Sequence, residues 1–553
     1  MDTIFLHPAA LFVVVVLPLF GIAAKVFGAS FQKITKWYLY IAVFCVIVVM
    51  DSIFFPFIGG KDWFFRLAVE LSLISALLWW AFEARQGEFE ERIRAFFKKP
   101  LVLAVSAFAL MVLLASLFAF DAHAGFWSNF ERGEGGFQMI HYWLFFVLLG
   151  LFLREEKEWR RLLGSSLVAA VLMIFYGLLS ISGAPGFISP YAGGGAPSGW
   201  FAQLIQGRFE GSLGNPAYVA PYLMFAMFFA AYLWITGGRK EEDGRRRTLR
   251  NWGYGILIVA FLLFFALSQT RGAFVGLVAG IYALLVYFGY QQPRYRKLIL
   301  GILAVLFLVG GIIVHYVHQE FLVNPQSLLS AIPGIRLFDL PLNNSVLAIG
   351  WIGAMLFAAI VMFARERKWL WWALAALIVV AAIGSLYVIS IGRFPSFKDP
   401  TTVTRFWVWG EAWQAFLARP VLGWGPENFT APFDKYFNPN FYVPGQNTET
   451  WFDRAHSVFF DYLAETGILG LLAYISMFVL FYIEFFKRRG RRTEGGEPRA
   501  DHTLAQTLVN GIFFTMPIAY LVQGVAIFDV LPMYIPLFMF LAFSNFYFRE
   551  HKA

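Results

Sequence analysis

The sequence predicts an all-α, polytopic integral membrane protein, and three observations support that fold class. Apolar residues make up 59% of the 553-residue chain, charged residues make up only 14%, and the mean hydropathy is +0.64. A water-soluble domain of this length would not carry so little charge. Apolar runs of about 17 to 25 residues, the length that crosses a bilayer, recur along the whole chain. Because backbone polar groups in lipid must bond within their own segment, we expect these runs to be helices.

Hydropathy indicates about 14–15 transmembrane helices, with short or broken runs setting the uncertainty of the count. The runs lie near residues 8–28, 38–58, 64–83, 101–120, 138–153, 162–182, 216–236, 252–268, 272–289, 298–316, 346–364, 369–391, 466–486, 507–527 and 530–547. We divide the chain into N-terminal helices over 1–200, central helices with external Arg-bearing turns over 201–391, a large external loop over 392–465, and C-terminal helices over 466–553.

Lys and Arg collect on every second loop, which predicts the orientation of the helices. Cytoplasmic loops carry such clusters, so the long loops between them, which are poor in Lys and Arg, are expected to face the exterior. These external loops are 121–137, 183–215, 317–345 and 392–457. The net charge of +9 then reflects topology rather than affinity for nucleic acid. Cys45 is the only cysteine and lies in an apolar run, which excludes an internal disulfide and a Cys-rich metal site.

A polar segment over residues 404–472 interrupts the apolar pattern late in the chain. Arg405 opens it, and Trp409 follows in an aromatic stripe at helical spacing. His456 closes the segment just before the next apolar run, with Asp453 before it and Glu465 after it. The segment therefore combines a phosphate-binding cation with a proton-transfer group on one side of the membrane.

Two further patches place arginines on the same predicted side. Arg208 and Asn215 precede the run that begins at Pro216, and Arg271 lies in a very short turn between two runs. Arginine binds phosphate oxygens in a bidentate manner, and a neutral imidazole accepts a proton from a hydroxyl. The predicted chemistry is transfer of a group from a polyprenyl diphosphate to an external hydroxyl.

Plainer interpretations of the same residues stay open. Arginines at membrane ends often extend to lipid phosphates, His456 could be a helix-start residue, and the aromatic stripe could be an interfacial belt. No metal or cofactor is required, because arginines neutralise the leaving group. External carboxylates nevertheless keep a metal site open. These are Glu210, Glu411 and Asp453.

At these residues the sequence resembles the O-antigen ligase and O-antigen polymerase superfamily. Its pattern is an Arg followed by a Trp, a Pro-x-x-Gly-x-Gly turn, a His-Asn pair, and a helix with Glu-x-Gly-x-x-Gly. The matching positions are Arg405, Trp409, residues 420–425, His456 and residues 465–470, together with Arg208, Gly214-Asn215-Pro216 and the Ser-x-x-Arg-Gly of Ser268 to Gly272. The resemblance spans roughly residues 200–485. Ser457 stands where the family usually has Asn.

The resemblance implies a fold related to the type C glycosyltransferases and an inverting, metal-independent mechanism. By that resemblance Arg405 and Arg271, with Arg208, bind the diphosphate, and His456 activates the acceptor hydroxyl. Asn215, Glu465, Trp409 and Asp453 are expected to support the site. The implied donor is an undecaprenyl-diphosphate-linked glycan, and the acceptor is lipid A core sugar, another lipid-linked glycan, or a protein hydroxyl. The implied location is a bacterial inner membrane, with the active site facing the periplasm.

A transporter or lipid flippase is the alternative from another class. It is motivated by Asp51, Arg66 and Glu70, which lie in or near apolar runs, since ionisable groups in a membrane commonly mark pathways. Arg66 and Glu70 are four residues apart, and a plain ion pair between them is the competing interpretation. The absence of a detectable duplicated half argues against a transporter.

Overall fold

The computed structural model is helical and without strands over the residues that it describes. These residues are 8–51, 53, 55–129, 132–188, 200–237, 244–323, 344–364, 400–442, 450–490 and 503–550. They form two compact units. The first unit comprises Met1–Ala273, Val408–Ala500 and Gln523–Ala553, and the second comprises Phe274–Trp407 and Asp501–Val522.

Most helices belong to the first unit. They are Pro8–Val26, Phe31–Ala42, Gly59–Phe82, Glu88–Phe97, Pro100–Leu117, Ala122–Trp127, Gly136–Phe152, Glu156–Ile181, Trp200–Gln206, Pro216–Thr236, Gly244–Leu267, Thr430–Lys435, Val458–Gly490 and Leu531–Glu550, with 3-10 turns at Val43–Ile47, Gly211–Leu213 and Pro439–Phe441. Helices Arg271–Gln291, Pro400–Ala418 and Leu504–Gly524 contribute residues to both units.

Helix Leu531–Glu550 forms the centre of the first unit. Over its 18 residues Leu531–Phe548, 94% of the positions are buried, so its apolar side chains face protein on every side. Tyr534 stacks on Tyr142 of helix Gly136–Phe152, with ring centroids 4.8 Å apart. The carboxylate of Glu134 accepts a hydrogen bond from Leu531 N at 2.5 Å, which satisfies one of the N–H groups that a helix start leaves unpaired.

The helical, membrane-spanning fold class is confirmed. Among the described residues, nine helices are long and apolar enough to cross a membrane, and three shorter apolar helices accompany them. Proline occupies the first turn of helices Pro100–Leu117 and Pro216–Thr236. Pro216 occupies the first turn of its helix, where its missing N–H costs nothing, and Asn215 caps that helix by accepting from Ala217 N at 2.8 Å. The predicted run at 369–391 lies outside the described residues.

The predicted span at 38–58 is wrong. Helix Phe31–Ala42 tightens into the 3-10 turn Val43–Ile47 and ends there, and the next helix starts only at Gly59. Buried side chains satisfy the carbonyls that this early end exposes, because Ser212 Oγ donates to Val46 O at 2.6 Å and Lys61 Nζ donates to Val48 O at 2.5 Å. Irregular backbone in a membrane protein is tolerated where protein, rather than lipid, surrounds it.

The interpretation of Arg66 and Glu70 as an ion pair with each other is also wrong. Arg66 Nε donates to Gln138 Oε1 at 2.5 Å, and its Nη2 donates to Gly133 O at 3.1 Å. Glu70 Oε1 lies 3.0 Å from His141 Nε2. Both side chains therefore connect helix Gly59–Phe82 to the segment around helix Gly136–Phe152.

The second unit has its own apolar core. Helix Arg296–Val323 packs against Asn344–Ala364, and both contact helix Arg271–Gln291. Their shared buried residues are Val286, Ile299, Leu303, Ala358 and Met362. Tyr287 stacks on Phe514 of helix Leu504–Gly524, with ring centroids 4.9 Å apart.

Candidate active site

His456 occupies a constrained turn directly before helix Val458–Gly490. Its φ of +51° lies in the left-handed region of backbone conformations. Residues other than glycine adopt this conformation at a cost of about 1–3 kcal/mol, and such strained residues cluster at functional sites. Its Nδ1 lies 3.1 Å from the carbonyl oxygen of Arg454. A carbonyl only accepts, so Nδ1 carries the proton and Nε2 holds the lone pair of the neutral ring.

Aromatic rings hold the imidazole on two sides. Phe452 and Phe528 each meet the ring edge-on, with centroid distances of 5.3 Å. Phe528 precedes the central helix, and the same loop binds the start of the histidine helix through the hydrogen bond from Val458 N to Ile527 O at 2.8 Å. The side chain of His456 is only partly buried, so the ring is positioned but still reachable.

Arg454 forms a buried ionic cluster beneath this turn. Its guanidinium lies 3.0 Å from Glu427, 3.0 Å from Asp461 and 3.3 Å from Glu465, and all four side chains are almost fully buried. Burial raises the pKa of Glu427 to about 7, although the positive charge of Arg454 opposes that rise. The cluster joins the turn to residues far along the chain, which fixes the backbone that carries His456.

Asp453 is paired with an arginine from the N-terminal part of the chain. Arg132 Nε donates to Asp453 Oδ2 at 2.6 Å, and Arg132 Nη2 donates to Asp453 Oδ1 at 3.0 Å, so the pair is bidentate. Burial alone would raise the pKa of Asp453, but the hydrogen bonds and charge of Arg132 outweigh it and leave that pKa below its usual value. Asp453 is therefore an ionised partner of Arg132, which makes it a poor proton acceptor.

The two glycine motifs of the sequence lie back to back. Trp424 N donates to Ala464 O at 2.9 Å, Gly425 N donates to Glu465 O at 2.8 Å, and Ile468 N donates to Pro420 O at 2.8 Å. Gly467 breaks the helical geometry with φ 63° and ψ −166°, which turns the helix backbone toward the 420–425 turn. A Cβ on Gly423 would lie 2.4 Å from the carbonyl carbon of Glu465, so both backbones approach too closely for any side chain.

Arg208, Asn215 and Arg271 lie on adjoining segments of the first unit. Arg208 Nε donates to Ser268 O at 3.2 Å, and Thr270 Oγ1 donates to Pro216 O at 3.0 Å. The turn that carries Arg271 is thereby bound to the segment that carries Arg208. Both arginine side chains are exposed. Asn215 has a structural task here, because its side chain caps helix Pro216–Thr236.

The turn at Arg271 also approaches the loop that contacts His456. A Cβ on Gly272 would lie 3.0 Å from Ala526 Cβ, and Phe528, two residues later, touches the imidazole. The structure thus connects Arg271 to the surroundings of His456 through residues 526–528. This contact is a feature of the first unit alone.

Arg405 and Trp409 lie on helix Pro400–Ala418. They are four residues apart, which places them on one face of that helix. Trp409 stacks on Phe460 with centroids 5.3 Å apart and an interplanar angle of 13°, four residues beyond His456. Arg405 belongs to the part of the helix assigned to the second unit.

The carboxylates considered as metal ligands have different surroundings. Glu411 is almost fully buried and accepts from Asn438 N at 2.8 Å. Burial raises the pKa of Glu411 to about 7, and burial likewise raises that of Glu210 to about 7 against the charge of Arg208. In the part of the chain that the structure describes, no three His, Cys, Asp or Glu side chains are grouped as a metal site.

Sequence reasoning missed Arg132, Glu427 and the central place of Arg454. Arg132 carried a usable signal, since it is an arginine in the predicted external loop 121–137, where topology gives no reason for positive charge. Glu427 and Arg454 carried none, because their roles follow from contacts between distant segments. The contact between these two residues depends on the packing of the 420–428 turn against the helix that follows His456.

Comparison with known proteins supports the resemblance read from the motifs. A family model described as O-antigen ligase matches residues 335–475. That segment contains Arg405, Trp409, His456 and both glycine motifs, whereas Arg208, Asn215 and Arg271 precede it. No curated protein matches the chain.

Proposed function

We propose that this chain, whose residues 335–475 match a family model described as O-antigen ligase, transfers a glycan from undecaprenyl diphosphate to an external hydroxyl group. In this proposal His456 is the general base. Arg271, Arg208 and Arg405 bind the diphosphate. The acceptor is the core sugar of lipid A or a second lipid-linked glycan, and a protein hydroxyl is the alternative.

The geometry of His456 is the observation that carries the proposal. Its Nδ1 contacts the Arg454 carbonyl at 3.1 Å, which orients the ring and leaves the lone pair on Nε2. The backbone that holds it is fixed by a buried cluster of one arginine and three carboxylates. A strained, partly buried histidine on a rigid support is the arrangement expected of a positioned base.

The reaction is a single displacement at the anomeric carbon. His456 Nε2 takes the proton from the acceptor hydroxyl, and the acceptor oxygen forms a bond to the anomeric carbon. The bond from that carbon to the diphosphate oxygen breaks, and undecaprenyl diphosphate leaves with the electron pair. Attack and departure on opposite faces invert the anomeric configuration.

The arginines stabilise the charge that develops on the leaving diphosphate. Guanidinium groups keep their charge at physiological pH and match phosphate oxygens with paired N–H donors. Arg208 and Arg271 are exposed and lie on segments that bind each other through Ser268 and Thr270. Arg405 matches the arginine of the superfamily's motif and supplies a further guanidinium.

The proposal is tested with purified protein, a labelled undecaprenyl-diphosphate glycan, and the three acceptors in separate reactions. We expect glycan transfer coupled to release of undecaprenyl diphosphate, with one acceptor preferred. His456→Ala should lower the rate about 10²- to 10⁴-fold at an unchanged donor KM, the usual contribution of a general base. His123→Ala is the matched control, since His123 is exposed on the predicted external loop 121–137.

The pH profile gives a second measurement. Only the neutral ring accepts a proton, so the wild-type rate should fall as pH drops through the pKa of imidazole, about 6.5 for an ordinary histidine. If His456→Ala keeps its rate and loses donor binding, the histidine is a diphosphate ligand and the base lies elsewhere. Glycan movement across sealed vesicles without undecaprenyl diphosphate release would support a transporter and refute the proposal.

A further inference from the structure

Arg132 connects the N-terminal part of the chain to the turn that bears His456. Its side chain makes the bidentate pair with Asp453, donates from Nη1 to the hydroxyl of Tyr218 at 2.7 Å, and lies 5.2 Å from the ring centroid of Phe528. Its side chain is 15% exposed, so these contacts are made largely away from water. Charge pairs shielded in this way are stronger and more directional than surface pairs.

The segment around Arg132 is itself firmly held. Arg132 N donates to Asn129 Oδ1 at 2.8 Å, and the next carbonyl, that of Gly133, accepts from Arg66. Glu134 accepts from Tyr142 and from the first N–H of the central helix. A small cavity of about 20 Å³ lies beside this segment, with Lys61, Asp62, Arg132, Glu134 and Tyr218 among its lining residues.

The contacts of Arg132 reach the imidazole by two routes. Asp453 precedes His456 by three residues in the same turn, so its position sets the start of that turn. Phe528 lies against Arg132 on one side and meets the imidazole edge-on at 5.3 Å on the other. Displacement of Arg132 would therefore release Phe528, which packs against the imidazole, and Asp453, which fixes the backbone before His456.

We infer that Arg132 is a positioning residue for His456, acting through Asp453 and Phe528, so that residues outside the matched segment 335–475 help to build the site. This inference rests on the proposed function for its catalytic consequence. Its geometric part does not, because the orientation of His456 can be measured without turnover. Arg132 has no contact with substrate in this role.

The test compares Arg132→Gln, Asp453→Asn and the double variant in full-length protein. Misplacement of a catalytic group by about 1 Å costs roughly 100-fold, so we expect kcat to fall about 10- to 100-fold in each single variant at an unchanged donor KM. The double variant should lose no more than Arg132→Gln alone, because Asp453 acts through its contact with Arg132. Arg132→Lys should recover part of the loss, since Lys keeps the charge but lacks the paired N–H donors of a guanidinium.

Arg92→Gln is the matched control for losing a mostly buried arginine. Its side chain is 10% exposed, pairs with Glu88 on helix Glu88–Phe97, and also contacts the carbonyl oxygen of Leu151 and the ring of Trp79. It should leave kcat and donor KM unchanged. Variants of Arg132 that behave like this control would overturn the inference, and so would a raised donor KM at an unchanged kcat, which would make Arg132 a diphosphate ligand.

A second measurement separates this inference from the proposed function. Diethyl pyrocarbonate modifies the unprotonated nitrogen of histidine, and mass spectrometry resolves His456 from the other histidines. The His456 modification rate should rise several-fold in Arg132→Gln and stay unchanged in Arg92→Gln. An unchanged rate in Arg132→Gln refutes the positioning role, whether or not His456→Ala shows that the histidine is the base.

Discussion

Replacing Gly423 with Ala tests whether the two glycine motifs are joined through their backbones. The added Cβ would lie 2.4 Å from Glu465 C and 2.5 Å from Glu465 O, and Gly423 has a φ of +68°. Backbone atoms cannot move aside as a flexible side chain can. The substitution should therefore separate the 420–425 turn from the helix that starts after His456.

The expected loss of stability has two parts. A left-handed conformation costs an alanine about 1–2 kcal/mol. The hydrogen bonds from Trp424 N and Gly425 N to the facing carbonyls contribute about 0.5–1.5 kcal/mol each, and separation of the backbones would weaken both. Together these effects predict a loss of about 2–5 kcal/mol for Gly423→Ala.

Two other glycines isolate these contributions. Gly87 has a φ of +80° with nothing within 4 Å of the added Cβ, so Gly87→Ala should show the strain alone. Gly164, inside helix Glu156–Ile181, also has nothing within 4 Å and no positive φ, so Gly164→Ala should be neutral or stabilising by up to about 1 kcal/mol. Thermal unfolding in detergent should rank the variants Gly164→Ala, Gly87→Ala and Gly423→Ala from most to least stable. Equal stability of the last two would refute the backbone argument.

Two further predictions concern charge. The pKa of Glu427 is about 7 in the folded protein against 4.5 for an ordinary glutamate, so the folded protein holds this proton more tightly. The resulting stabilisation, at most about 3–4 kcal/mol, is lost as pH rises from about 4.5 through 7. Glu427→Gln stays neutral and should show a smaller loss of unfolding free energy across that window; identical pH profiles would contradict the shift. Arg271→Ala should raise the donor KM more than Arg271→Lys, because Lys keeps the charge and loses only the paired N–H donors of the guanidinium. Wild-type donor binding in Arg271→Ala would remove it from the diphosphate site.

Composition and hydropathy were sufficient for the fold class. The long apolar runs can satisfy their backbone only as helices, so helices such as Pro100–Leu117 and Pro216–Thr236 appear within a few residues of their predicted bounds. The motifs likewise located His456 and the glycine turns, because tight turns and close backbone contacts demand particular residue types at fixed spacing. Hydropathy failed at 38–58, where buried Ser212 and Lys61 replace the hydrogen bonds of a continued helix.

The sequence by itself determined that the long apolar segments form helices, and which residues are chemically equipped to bind phosphate and move a proton. Only the tertiary structure decided how these residues are supported. Asp453 is ionised and paired because Arg132, more than 300 positions earlier, reaches it, and Glu465 serves Arg454 and the 420–425 turn rather than solvent. Such pairings leave no periodicity in the chain, since an ion pair depends on distance in space and a helix depends on spacing along the sequence.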